Sequence, residues 1–173
     1  AGSPRRGGNS ALMAGSVMKG AKEAGHGVTL FNAADDRVQP CMACDACWSK
    51  GRACVLDDGF ARLSPLMEIA DVIVLCGPVY WFSFSSQLKL VIDKLYAFSH
   101  APGKLKGEAY LLMCAGDPSE EIFSIAKQEF ETIMPYVGFK LGGQLLVPGV
   151  YAKDDIKGTG ALARAEELGR AVA

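Results

Sequence analysis

At 173 residues, with 50% hydrophobic content and a mean hydropathy of +0.16, the chain is long enough for one domain with a sizeable core and too short for two ordinary ones. Its 18 Lys and Arg against 19 Asp and Glu leave a formal charge of −1 with no long block of either sign, which excludes the electrostatic footprint of a nucleic-acid or anionic-membrane binder. The longest apolar stretch, Val72 to Phe84, is broken by Gly77, Pro78 and Ser83 and falls short of the roughly 20 apolar residues of a membrane span, while Gly-Ser-Pro-Arg-Arg directly after Ala1 does not read as a signal peptide. The expected setting is the cytoplasm, where unbridged thiols persist, and the expected partners are small molecules or other proteins.

In chain order, Met13, Val17, Ala21 and Ala24 recur at helical spacing after Asn9, with Asn9 or Ser10 as the expected cap, Gly25 and Gly27 at the exit, and His26 placed to cap the last turn. Val28–Phe31 reads as a short buried strand. An irregular, Cys-rich insertion follows at about residues 39 to 56, and Asp57-Asp58 are suited to cap a helix over about residues 59 to 70. Asp71–Cys76 is a continuous apolar strand. Leu88, Val91, Ile92 and Leu95 then form an amphipathic stripe whose charged neighbours, Asp93 and Lys94 among them, are expected to be solvated or paired at an interface. Tyr110–Cys114 is a further buried strand, Ile122, Ala126, Phe130 and Ile133 mark a third helical stripe, Gln144–Val147 a last strand, and Ala161–Val172 a closing helix.

Buried strands alternating with helices predict a parallel sheet covered on both faces. Such a sheet leads with a strand that feeds its first ligand-binding turn, yet only Ala1 precedes Gly2. The expectation is that this strand is missing from the N-terminus; without it the neighbouring strands would leave backbone groups unpaired.

Two loops have the composition of a ligand site. Gly2 to Ser10, Gly-Ser-Pro-Arg-Arg-Gly-Gly-Asn-Ser, opens a helix with glycines that let backbone amides approach an anion, a positive dipole end, and donors on Ser3, Arg5, Asn9 and Ser10. It lacks both the Gly-Lys-Ser/Thr ending of a triphosphate loop and the Gly-x-Gly-x-x-Gly of a dinucleotide fold, which favours a monophosphate among phosphate ligands; on composition alone an ordinary polar turn with a helix cap is an equal alternative. After Cys76 comes Gly-Pro-Val-Tyr-Trp-Phe, in which Pro78 leads a turn and Tyr80, Trp81 and Phe82 could wall a flat apolar ring beyond the carboxyl end of a strand, or form a subunit interface.

Cys41, Cys44, Cys47 and Cys54 are spaced Cys-x2-Cys-x2-Cys-x6-Cys. Two-residue spacers let a tight loop aim three thiolates at neighbouring corners of one cubane, with the fourth arriving from farther along. Zinc would take four thiolates but usually uses two separated pairs, and any Cys-x-x-Cys could be a thiol-redox pair, here without a thioredoxin-like βαβ setting. Cys76 and Cys114, at strand ends, read as buried apolar groups.

Taken as an ordered set from Gly2 to about Lys94, the Gly-Ser-Pro-Arg and Gly-Asn-Ser motifs, the Cys-rich segment ending in Asp57-Asp58, Gly-Pro-Val-Tyr-Trp and Gln-Leu-Lys-x-x-x-Asp resemble the flavodoxin-like NAD(P)H-dependent FMN reductases and, among them, the iron–sulfur flavoproteins. The resemblance implies a three-layer α/β/α sandwich and FMN, with Ser3, Arg5, Asn9 and Ser10 around its phosphate. Pro78, Val79, Tyr80, Trp81 and Phe82 would meet the ribityl chain and isoalloxazine, and Ala115, Gly116 and Asp117 would supply a third contact loop. It implies NAD(P)H-dependent reduction of quinones, flavins or other small acceptors by a homodimer or homotetramer. In an iron–sulfur flavoprotein the four cysteines would bind a [4Fe–4S] cluster that relays electrons between a ferredoxin-like partner and FMN. The reading from another class is a thiol- or metal-based redox sensor whose loops bind no flavin.

Overall fold

The computed structural model describes residues 1–51, 53–100 and 105–172; residue 52 of the Cys-rich segment lies outside them. The helices are α1 (Asn9–Glu23), α2 (Ala46–Ser49), α3 (Gly59–Ile69), α4 (Ser86–Lys94), α5 (Tyr96–Ser99), α6 (Ser124–Tyr136) and α7 (Ala161–Ala171), and the strands β1 (Val72–Tyr80), β2 (Ser83–Phe84), β3 (Glu108–Cys114) and β4 (Lys140–Val147). The sheet runs β2-β1-β3-β4. β1, β3 and β4 are parallel, but β2 folds back antiparallel on β1, pairing Val79 with Phe84 and Tyr80 with Ser83, so the sheet is mixed rather than wholly parallel.

Strand periodicity sorts the core into two layers. From β3, Ala109, Leu111 and Met113 pack with Phe60 and Met67 of α3, Leu88, Val91 and Ile92 of α4, and Ala126, Phe130 and Met134 of α6. Leu112 and Cys114 point to the other face, where Met13, Ala14 and Val17 of α1 and Ala161 and Ala165 of α7 cover them. The three predicted amphipathic stripes are thus the faces that close the two layers.

Three predicted local features take a different form. Val28–Phe31 joins no sheet, and Leu30 is 54% exposed. Ala1 instead bridges toward β1: its nitrogen donates to Phe31 O at 2.7 Å, its carbonyl accepts from Ala33 N at 2.9 Å, and Gly2 N donates to Cys76 O at 2.8 Å. Helix α1 is capped by the backbone of Gly8, because the side chain of Asn9 is turned to another task described below. At its far end, Gly25 and His26 close the helix through their backbone N–H groups, bonded to Lys22 O and Ala21 O, while the His26 side chain is exposed.

α1 and α7 cross in close backbone contact. A Cβ on Gly169 would meet Val17 O and one on Gly20 would meet Glu166 O, while Lys19–Glu166 (2.9 Å) and Arg170–Glu23 (2.7 Å) flank the crossing. Gly169→Ala therefore destabilises the fold by about 1–3 kcal/mol despite the better helix propensity of alanine, because backbone cannot yield as a side chain can; urea denaturation measures it.

Between α3 and α4 lies a buried charge pair. Lys94, expected to be solvated or paired at an interface, is 2% exposed and donates to Asp58 Oδ2 at 2.5 Å inside the domain, whereas its neighbour Asp93 pairs on the surface with Lys89. Asp58 is also the predicted N-cap: Oδ1 accepts from Phe60 N at 2.9 Å and Oδ2 from Gln39 N at 2.8 Å. Burial alone would raise its pKa, but the Lys94 ammonium and the two N–H groups outweigh that and hold it below the ordinary carboxyl value. A depressed folded-state pKa contributes stability that is present above the unfolded value of about 3.9 and is lost as pH falls through the folded value. Asp58→Asn is expected to cost about 3–5 kcal/mol at neutral pH by leaving the ammonium unpaired, and to lessen the loss of stability below about pH 4 seen in urea midpoints against pH.

Candidate functional site

The Gly2–Ser10 loop is clamped to the sheet before it meets any ligand. A Cβ on Gly2 would lie 2.6 Å from Leu88 Cβ and 2.9 Å from Ser85 Oγ, and Ser85 Oγ donates to Gly2 O at 2.5 Å. Only glycine allows this approach to α4. Ser3 is buried and its hydroxyl accepts from Arg5 N at 3.2 Å, so it shapes the turn that leaves the Arg5 side chain exposed. Ser10 is buried with its hydroxyl on Cys114, and its carbonyl accepts from Cys76 Sγ at 3.3 Å. The first i→i−4 bond of α1 is Leu12 N to Gly8 O, so the amides of Asn9, Ser10 and Ala11 stand ahead of it, as an anion at a helix N-terminus requires.

Asn9 was expected beside a phosphate through its side chain. That side chain instead donates to Val150 O (3.3 Å) and Ala152 O (2.9 Å) and accepts from Ile156 N (3.4 Å). It braces the loop against the segment that leads into α7.

The aromatic segment is a hairpin. Gly77 and Pro78 do not turn the chain; they continue β1 opposite Met113 and Cys114, and the reversal falls on Trp81 and Phe82, with φ of 48° and 67°. A two-residue turn with both central residues left-handed matches strand twist, but it is normally made by Asn and Gly. Two bulky aromatics held there are strained. Trp81 is 92% exposed and Phe82 and Tyr80 are partly so. Beside them the third loop, after β3, is fixed by Val150 N to Ala115 O and Gly149 N to Asp117 O, both 2.8 Å, and a Cβ on Gly116 would meet the Tyr151 ring. Val79, Trp81, Phe82, Ala115, Gly116, Asp117 and Ile122 line one open pocket of about 260 Å³ at the carboxyl edge of the sheet.

All four loop cysteines line a second pocket, with Asp45, Lys94 and Tyr96. The segment winds through left-handed Ala43 and Asp45 and is stapled to α5: Tyr96 OH donates to Asp45 Oδ1 at 2.8 Å, and Trp48 stacks on Tyr96 and on His100, each at 4.7 Å. Asp45 beside it pushes the Tyr96 phenol up to about 12, so it remains the donor. Burial raises the Cys47 thiol. Lys94 Nζ lies 3.6 Å from Cys54 Sγ. Among the described residues no three Cys, His, Asp or Glu side chains converge on a single-ion site. A cubane asks for something else, since each thiolate binds a different iron and the sulfurs need only surround one hollow; a pocket walled by four thiols has that donor set. Cys76 and Cys114 stay outside it, buried, with thiols pushed up by burial to about 12 and about 11. Sequence reasoning missed Lys94, although its position three residues after the buried Val91 and next to Leu95 placed it at the margin of the apolar stripe.

An open three-layer α/β fold with an anion-ready helix start and an aromatic pocket at one sheet edge defines a nucleotide-type cofactor protein of the flavodoxin-like class. Residues 1–148 match the profile of the NADPH-dependent FMN reductases, and the chain belongs to that family. It is 29% identical over 177 residues to an iron–sulfur flavoprotein of Archaeoglobus fulgidus, covering 99% of this chain and 76% of that one. It is 36% identical to an iron–sulfur flavoprotein of Methanosarcina thermophila over 93 residues, 54% of this chain and 48% of the other. Among solved structures, an NAD(P)H:quinone oxidoreductase from Methanothermobacter marburgensis superposes with a TM-score of 0.80 at 20% identity, over 98% of this chain and 91% of that one, which shows the shared fold.

The strain at the hairpin gives a separable prediction. Trp81→Gly relieves about 1–2 kcal/mol of left-handed strain and loses little packing, so the FMN-free protein is at least as stable in urea, while FMN binding measured by fluorescence quenching weakens.

Proposed function

We propose that the chain binds FMN at the carboxyl edge of β1 and β3 and passes electrons from NAD(P)H to quinones, flavins or other small acceptors. The observation that carries this reading is the single pocket in which the strained Trp81–Phe82 hairpin meets the Ala115–Gly116 loop. FMN supplies hydride acceptance and delivery of electrons singly or in pairs. The chain supplies position: first-turn amides of α1 and the Arg5 guanidinium hold the phosphate, with Ser3 and Ser10 fixing the loop's shape and Asn9 bracing it from behind. Pro78, Val79 and Tyr80 offer a rigid strand end to the ribityl chain, and Trp81 and Phe82 flank the ring and exclude water from one side. No side chain need act as a general base. A second copy of the chain, in a homodimer or homotetramer, is the natural cover for Trp81 and Tyr151, which are 92% and 77% exposed.

A second reading is favoured by the thiol pocket and by the names of the relatives in Archaeoglobus and Methanosarcina. Here Cys41, Cys44, Cys47 and Cys54 hold a [4Fe–4S] cluster, and the protein trades single electrons with a ferredoxin-like carrier. No helix of the described residues is long and apolar enough to cross a membrane, and all six cysteines are unbridged, as a cytoplasmic setting would keep them.

The test is an anaerobic visible spectrum with FMN, iron, sulfide and zinc quantified per chain. One FMN supports the first reading, and roughly four irons with matching sulfide add the second. Protein that takes up no FMN on titration would sink the flavin reading and leave a thiol- or metal-based sensor. Arg5→Ala is expected to weaken FMN binding about 10- to 100-fold with the fold intact, as the loss of a charged phosphate contact predicts.

A further inference from the structure

Among the described residues, Lys94 is the charged residue buried as a whole, and nothing in the flavin chemistry uses it. Its ammonium is held from three sides: Asp58 Oδ2 at 2.5 Å, Cys54 Sγ at 3.6 Å, and the Phe60 ring, whose centroid is 5.7 Å away. Asp58 cannot follow a change in the pocket, because its two oxygens also accept from Gln39 N and Phe60 N. The pair thus turns a fixed positive end toward the wall of the thiol pocket, which Lys94 itself lines.

A buried ion pair is a poor source of stability, since a well-packed apolar residue of similar volume often serves as well or better. A charge fixed at a sulfur has a directional effect that an apolar residue lacks. Hydrogen bonds and charges at the ligating sulfurs are among the main settings of an iron–sulfur potential. Because this cation is buried, salt screens it little.

We propose that Lys94 is a positioning residue of the thiol pocket, orienting Cys54 and raising the reduction potential of a [4Fe–4S] cluster held there. The inference rests on the cluster reading above. One electron passed to this site from an external carrier or from the flavin would add one negative charge at the thiolates, and the Lys94 ammonium, already in place beside Cys54, would offset that charge without a proton being taken up.

The test uses anaerobically prepared protein containing FMN and cluster, with iron and sulfide counted and the cluster midpoint followed by electron paramagnetic resonance during redox titration. Lys94→Met shifts the cluster midpoint to lower potential and leaves the flavin midpoint in place, whereas Lys94→Arg restores the wild-type value. The double change Lys94→Met with Asp58→Asn removes both charges and keeps the capping oxygen; it guards against misfolding of the single variant and gives a midpoint between Lys94→Met and wild type. A cluster midpoint unchanged in Lys94→Met at full iron content overturns the inference and spares the cluster reading. Equal loss of cluster in Lys94→Met and Lys94→Arg also overturns it, because it assigns Lys94 a packing role. Wild-type protein without iron or sulfide removes the cluster reading and this inference together.

Discussion

From Ala109 to Cys114, every residue of β3 except Tyr110 is buried, so both faces of this strand must be covered. Its alternation sends Leu111 and Met113 into the layer of α3, α4 and α6 and sends Leu112 and Cys114 against α1 and α7. The parallel register then aligns three strand ends, with Pro78 beside Cys114 and Cys114 beside Val147. Loops leaving these ends emerge on one edge, and so the hairpin after β1 and the loop after β3 share a pocket although 35 or so residues separate them. The same burial brings α1 close enough for its start to be fastened to β1 through Gly2 and Cys76.

The edge has a rigid floor and a strained rim. The floor is made of groups already satisfied within the protein: Gly2 against Ser85, Ser10 on Cys114, and Asn9 with three backbone partners. Backbone amides at the start of α1 stand ahead of its first i→i−4 bond, an arrangement that can hold an anion without side-chain ordering. The rim holds Trp81 and Phe82 in a left-handed turn that the hairpin pairing enforces. Large aromatic surface kept exposed and strained makes sense where something flat is to cover it.

Periodicity made much of this legible. Leu88, Val91, Ile92 and Leu95 are all buried, and the apolar runs at 72–76 and 110–114 are strands, the second buried apart from Tyr110 and the first half-buried up to Cys76. What stayed hidden depends on partners distant in sequence. Val28–Phe31 has a strand's composition but acquires no ladder, and the exposed first residues of β4, Lys140 to Gly142, have no apolar signature yet continue a strand because β3 lies alongside. Gly77-Pro78 carries a turn's local chemistry, but pairing with β3 keeps it extended and moves the turn to residues whose identity argues against one. Asn9 has a cap's side chain, and a contact some 140 residues away claims it. Residue types in order single out the Gly2–Ser10 and Pro78–Phe82 loops, but that Asn9 braces the segment before α7 could not be read from them.

The six cysteines show how environment separates identical side chains. Cys76 and Cys114 lie in an apolar layer that penalises the thiolate, pushing their thiols up to about 12 and about 11, and they act as small core groups. Cys41, Cys44, Cys47 and Cys54 surround a hollow whose wall includes a buried ammonium and, among the described residues, one carboxylate, Asp45, which is occupied by the Tyr96 hydroxyl. Anionic sulfur is disfavoured in the first setting; in the second, burial also raises the Cys47 thiol, and what differs is the Lys94 ammonium fixed 3.6 Å from Cys54 Sγ. A chain selected only to pack the space behind Cys54 could place an apolar residue at position 94; a chain that must accommodate several thiolates, and the further charge of an added electron, has a reason to keep a lysine there and to spend Asp58 on holding it.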